Sequence, residues 1–166
     1  MQVATTRASA NRLMDLILWR HAEALEAVPG ENDLHRRLTP RGDKQAARVA
    51  AWLDRQLPEL AKVWVSPARR AQQTAQALGR KFKTSDLLGP EGTAEQLLEL
   101  VQWPQAKGCV LVVGHQPTLG QTLSTLLRLS ESECSIRKGA LWWLRFRERE
   151  IGNKTVVITV QSPEFL

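Results

Sequence analysis

A chain of 166 residues has the size of one domain with a full core, and 43% hydrophobic against 24% charged residues excludes a disordered polymer. The net charge of +6 permits anions as partners, from phosphate to nucleic acid or an acidic membrane, and equally a basic solubilising surface, and is silent on fold. The two cysteines form no disulfide framework, which fits a reducing cytoplasm, and no apolar run approaches the ~20 residues of a membrane span.

Residues 1–13 show no periodicity, no acidic side chain and no apolar core of a secretory signal, and read as a poorly ordered N-terminal tail. Met14, standing just before the first strand, opens the expected domain over residues 14–166. Asp15-Leu16-Ile17-Leu18-Trp19-Arg20-His21 then carries four apolar residues in a row and stops at Arg-His, the pattern of a strand buried on both faces. Ligands of open α/β sheets bind at the carboxyl ends of such strands, so Arg20 and His21 are expected at the mouth of a cleft. Residues 22–38 are a long polar loop with Pro29-Gly30 as a turn signal, a length more typical of a functional loop than of a connector.

Thr39 reads as an N-cap and Pro40 as the first helical position. Ala46, Val49, Ala50, Leu53 and Leu57 follow helical spacing up to Pro58. Lys62–Ser66 reads as a second strand passing into a helix, with Ser66 as its cap, Pro67 at its first position and Ala71, Ala75 and Leu78 facing inward. Arg69 and Arg70 then sit in the first turn, where the helix dipole disfavours cations and a bound anion would relieve the conflict. A short strand is expected to end near Leu88, and a capped helix to run from Thr93 to about Trp103. Gly108–Gly114 is a second buried-strand pattern ending in a histidine, His115, and a helix follows over about 119–129. Residues 140–146 and 155–160, joined across Gly152-Asn153, read as an antiparallel edge hairpin. The alternation of strands and helices predicts a three-layer α/β/α sandwich with a mostly parallel sheet.

Arg20, His21, Arg70 and His115 suit phosphoryl chemistry if they meet. Guanidinium groups grip phosphoryl oxygens bidentately and stabilise the charge that develops on them, and a neutral imidazole can attack phosphorus. A zinc site is a poor alternative, because the three histidines lack ligand spacing and stand among arginines, so no metal and no cofactor is expected. A nucleic-acid reader would show a basic stripe with exposed aromatics, whereas most tryptophans here fall in core-like positions.

Arg20-His21-Ala22-Glu23 after a strand, Leu38-Thr39-Pro40-Arg41-Gly42, Ser66-Pro67-Ala68-Arg69-Arg70-Ala71-Gln72-Gln73-Thr74-Ala75 and Val112-Val113-Gly114-His115 together resemble the histidine phosphatase superfamily, with its phosphoglycerate-mutase-like fold. The motifs occur in family order, and within the superfamily the chain looks like the small SixA-type phosphohistidine phosphatases. The resemblance implies His21 as nucleophile, Arg20, Arg36, Arg70 and His115 as phosphate ligands, and His115 as a second catalytic histidine. It leaves Arg69 outside the pocket and sets Arg37 where that branch usually has proline, so that Arg36 and Arg37 compete for one role. Ala22 replaces the usual glycine after the catalytic histidine, which requires an ordinary backbone there. The resemblance also implies a carboxylate to protonate an ester's leaving oxygen, for which Glu91 is the first candidate and Glu23 the second. An imidazole leaving group needs no such donor. With only about thirty residues between the helix ending near Leu78 and the strand starting at Cys109, no lid subdomain fits, and an open pocket admits a side chain of another protein. The implied function is dephosphorylation of a phosphohistidine-containing protein, such as a phosphorelay or phosphotransferase component, in the cytoplasm and away from membrane and nucleic acid. A small-molecule phosphomonoesterase of the same fold and an inactive phosphoprotein-binding module are the alternatives.

Overall fold

In a computed structural model, residues 12–149, 151, 152 and 154–166 are described. The tail expected over 1–13 lies outside the described residues up to residue 11, and its last residue, Leu13, already belongs to the first strand. The elements run β1 (Leu13–Arg20), α1 (Pro40–Gln56), β2 (Lys62–Val65), α2 (Arg69–Gln76), β3 (Lys83–Thr84), α3 (Ala94–Leu100), β4 (Gly108–Gly114), α4 (Thr118–Leu127), β5 (Leu141–Arg147) and β6 (Lys154–Gln161). One sheet holds all six strands in the order β3-β2-β4-β1-β5-β6. β1 to β4 run parallel, and β5 and β6 form the antiparallel hairpin at one edge.

The period of two along the central strands sorts the core into two layers. Ile17, Trp19, Cys109, Leu111 and Val113 face one side and pack against Val49, Ala50 and Leu53 of α1 and Ala71 and Ala75 of α2. Leu16, Leu18, Val110 and Val112 face the other and pack against Leu97 of α3 and Leu119 and Leu123 of α4. This is the three-layer sandwich read from the sequence. Trp142 and Trp143 divide between the two layers, as neighbours on a strand must.

α1 begins as expected, with the Thr39 hydroxyl accepting from Gly42 N at 2.9 Å. α3 carries a full capping box between Thr93 and Gln96, but it ends at Leu100, where the Trp103-Pro104 turn follows. Two local expectations are corrected. The segment before Leu88 is a two-residue strand and a short 3-10 turn over Asp86–Leu88, whose N-terminal partner is the Ser85 side chain. Ser66 does not cap α2: the helix starts two residues later than a Ser-Pro start would place it, with Ala68 in the N-cap position and no side-chain cap.

Candidate active site

β1 and β4 are hydrogen-bonded neighbours in register, with Arg20 opposite Gly114. The residue after each strand is a histidine, so adjacent parallel strands that stop level deliver two imidazoles to one place. The His21 N–H donates to Gly114 O at 3.1 Å, and the two ring centroids are 5.1 Å apart. His21 and His115 are buried, with 7% and 3% of their surface exposed.

Arg20, His21, Ala24, Arg36, Arg70, Pro90, His115, Gln116 and Lys138 line a cavity of about 240 Å³. Arg70, at the second position of α2, reaches it buried, while Arg69 beside it is exposed. Arg36 lines the cavity and Arg37 does not. Four of the sequence-derived residues from the central strands and α2, together with Arg36 of the long loop, therefore converge. Glu91 is exposed and lines a neighbouring depression that shares Pro90 and contains Asp33. Glu23 is engaged elsewhere, accepting from the Thr39 hydroxyl at 2.9 Å.

Hydrogen bonds fix the chemistry of the rings. His21 Nδ1 lies 2.7 Å from Ala22 O, and a carbonyl only accepts, so Nδ1 carries the proton and Nε2 of the neutral ring carries the lone pair. Ala22 is held in turn by its N–H donating to the Thr74 hydroxyl at 3.0 Å, and its backbone is ordinary: Gln102 and Arg128 are the non-glycine residues with positive φ among the described residues. His115 Nε2 lies 2.7 Å from the fully buried Ser66 hydroxyl, which also accepts from Ala68 N. Among the described residues the hydroxyl has no other acceptor, so it donates to Nε2 and leaves the His115 proton on Nδ1. That Nδ1, with Arg20 Nε and Arg70 Nε, is a buried donor that finds no acceptor among the described residues. Three orphaned N–H groups on residues lining one cavity match what a phosphoryl group offers in acceptors.

Desolvation holds both rings neutral. Burial, reinforced by Arg70, Arg20 and Arg36 and opposed by the bond to Ala22 O, pulls His21 down to about 4. Burial and the neighbouring His21 and Arg70 pull His115 down to about 3, with Asp33 opposing.

The guanidinium groups are held by backbone and by one carboxylate. Arg20 Nη1 donates to Ile136 O at 2.7 Å. Asp33 takes Arg36 Nε on Oδ1 at 2.8 Å and Arg70 Nη2 on Oδ2 at 3.0 Å, while its backbone carbonyl takes Arg70 Nη1 at 2.8 Å. Burial raises the Asp33 pKa, but the bonds from Arg36 and Arg70 outweigh it and keep the carboxyl below its ordinary value. Among the described residues no three His, Cys, Asp or Glu side chains cluster as a metal site would require.

Sequence reasoning missed Asp33, Ser66 as the partner of His115, Gln116 and Lys138. Lys138 comes in with the segment after α4, which is tied down by Gly139 N to His21 O at 3.1 Å, Arg20 N to Ala140 O at 3.0 Å and Trp19 Nε1 to Gly139 O at 2.9 Å. Asp33 carried one available signal, its i, i+3 spacing to Arg36.

Paired imidazoles and guanidinium groups at the carboxyl ends of a parallel sheet define a phosphoryl-handling enzyme class, and comparison with known proteins agrees. Residues 16–88 match the family model of the histidine phosphatase superfamily (branch 1), and the chain belongs to that superfamily. Within it, the chain is related to the SixA-type phosphohistidine phosphatases. It is 30% identical over 128 residues to the phosphohistidine phosphatase SixA homolog of Haemophilus influenzae, covering 68% of this chain and 77% of that one. It is 30% identical over 127 residues to phosphohistidine phosphatase SixA of Escherichia coli, covering 68% and 74%. The crystal structure of a candidate SixA from Agrobacterium tumefaciens superposes with a TM-score of 0.74 at 26% identity, covering 90% of this chain and 97% of that one.

Proposed function

We propose that this phosphatase removes the phosphoryl group from a phosphohistidine side chain of another protein, through a covalent intermediate on His21 and without a metal ion. The observation that carries the reading is the composition of the cavity wall: two neutral imidazoles, three arginines and a lysine, with no carboxylate among the described lining residues. An alkoxide leaving group needs a proton donor at that wall, whereas an imidazole leaving group does not. The SixA names of the matched relatives support the same substrate class.

In the proposed reaction His21 Nε2 attacks phosphorus with its lone pair. The P–N bond of the substrate breaks, and its electron pair stays on the departing ring. That ring, protonated on its other nitrogen, leaves as neutral imidazole. Arg20, Arg36, Arg70 and the His115 Nδ1–H hold the phosphoryl oxygens, and the Ala22 carbonyl steadies the imidazolium formed on His21. Water then attacks the phosphoryl-enzyme, the P–N bond to His21 breaks, and dihydrogen phosphate leaves with the water's protons. Arginines supply the positive charge that a metal ion supplies elsewhere, so chelators should leave the rate unchanged.

Glu91, exposed in the neighbouring depression, would matter only for ester substrates. Glu91→Gln should leave phosphohistidine hydrolysis within about twofold and lower ester hydrolysis by the 10²-fold or so typical of a lost general acid. The deciding experiment offers a phosphohistidine-bearing phosphotransfer protein to wild type and His21→Ala, with a base-stable quench that preserves phosphohistidine. Wild type should release phosphate and trap label on His21, and His21→Ala should do neither. Label loss by His21→Ala at the wild-type rate would overturn the proposal, and binding without turnover by wild type would favour the inactive binding module.

A further inference from the structure

Four of the chain's seven lysines, Lys62, Lys81, Lys83 and Lys107, line one groove, and none of the groove's lining residues is acidic. The groove lies on the α3 face of the sheet, along β2, the edge strand β3 and the chain entering β4. It exists because α3 is only seven residues long and β3 only two, so the sheet runs out from under its cover. Trp64, left half-buried, makes its apolar floor with Leu100, Val101 and Val110, and Lys83 Nζ stands 5.8 Å from the Trp64 ring centroid. Among the described residues none of the four lysines forms an ion pair with a carboxylate.

We propose that this groove binds an amphipathic anion: a small molecule with an aromatic or otherwise apolar body and an acidic head group. Its volume of about 500 Å³ lies within the ~300–1,000 Å³ of ligand sites, and its wall has their composition, an apolar floor with a few polar groups of one kind. The floor takes the body by desolvation, and unpaired ammonium groups at the rim take the charge. A like-charged rim without carboxylates repels cations and gains nothing from a neutral ligand. The site is separate from the histidine pair, because Lys62 and Lys107 stand at the starts of β2 and β4 while the imidazoles follow the ends of β1 and β4. A strand of seven residues spans ~20 Å. The inference therefore does not rest on the proposed phosphatase mechanism.

The test compares two fluorescent probes of similar shape: anionic 1-anilinonaphthalene-8-sulfonate and uncharged N-phenyl-1-naphthylamine, titrated against the whole chain. The anion should bind saturably and about tenfold more tightly, the ratio expected for ~1.4 kcal/mol of charge interaction. Lys62→Gln, Lys81→Gln and Lys83→Gln combined should erase that preference while the neutral probe stays within about twofold. These side chains are exposed, so a thermal melt should confirm an intact fold. Saturating inorganic phosphate, directed at the arginine-lined cavity, should not displace the probe. Equal affinity for the two probes, an unchanged anion affinity in the triple variant, or displacement by phosphate would each overturn the site. Sedimentation with phosphatidylglycerol vesicles without saturable binding of the free anion would assign the lysines to a membrane surface and overturn it too.

Discussion

The hydroxyl of Ser66, at the end of β2, lies 2.7 Å from Nε2 of His115, at the end of β4, and both side chains are buried. Strand pairing accounts for the contact: Val65 pairs with Val113, so the residues that follow leave the sheet together. A buried hydroxyl donating to Nε2 makes His115 a donor through Nδ1, the form an oxyanion needs. Ser66→Ala removes that donor and the acceptor of Ala68 N. Stability should fall by about 1–2 kcal/mol, and phosphate affinity by about tenfold as the ring samples both tautomers. Nitrogen chemical shifts of His115 check the cause directly: one fixed tautomer in wild type, a mixture in the variant.

The two imidazoles also set an acid limit to folding. With His21 near 4 and His115 near 3, against about 6.5 in the unfolded chain, the unfolded state binds more protons as pH falls through 6.5. Stability contributed by these rings is therefore fully present above pH 6.5 and lost progressively down to pH 4 and below. For His21 the total is on the order of 3 kcal/mol. A denaturant series from pH 7 to 4 should show this slope, and His21→Gln should flatten its upper part. NMR titration should find neither buried ring protonated at pH 5.5. Inorganic phosphate should raise both apparent pKa values, since an anion in the cavity favours the protonated rings.

Gly42 joins helix α1 to the turn after His21. A Cβ there would run into the Glu23 carbonyl oxygen, which accepts from Thr39 N at 3.0 Å. Backbone stands on both sides of that contact, so no side chain can yield. Gly42→Ala should cost more than the ~1 kcal/mol that the same change gains in an unobstructed helix, and should lower turnover by displacing the segment that begins at His21. A melting curve and a rate on the same preparation would separate the two effects.

The sequence was most informative where one residue type served one local purpose. The apolar runs ending at Arg20-His21 and at Gly114-His115 announced buried strands with functional tips, and in-register pairing made the tips meet. Arg70 was legible through its awkward place in the first turn of α2. Ser66 was misread because serine before proline is an ordinary helix start, and nothing local distinguishes a cap from a residue reaching across to another strand. Lys138 could not be found locally at all: three long-range backbone or indole hydrogen bonds bring its segment to β1. The fold was therefore more legible than the wall of the cavity, because layers follow from periodicity while the wall follows from loops.

Asp33 makes the sharpest remaining prediction, because it occupies Arg36 and Arg70 with the kind of negative charge that a phosphoryl group would bring. Arg70 is 3% exposed and depends on this carboxylate and on the Asp33 carbonyl for both terminal nitrogens. Asp33→Ala leaves a buried cation without its counter-charge, so the ligand-free protein should lose about 1 kcal/mol, a small figure because Asp33 itself is half exposed. An anion in the cavity would then replace the missing charge. Phosphate should consequently bind several-fold more tightly to the variant than to wild type and stabilise it more in a melt. Turnover should nevertheless fall by about tenfold, because the guanidinium plane is no longer held and product leaves more slowly. Asp33→Glu, which restores the charge at altered reach, should recover the stability but not the full rate. Weaker phosphate binding in Asp33→Ala together with unchanged turnover would show instead that the carboxylate only secures the loop over residues 22–38.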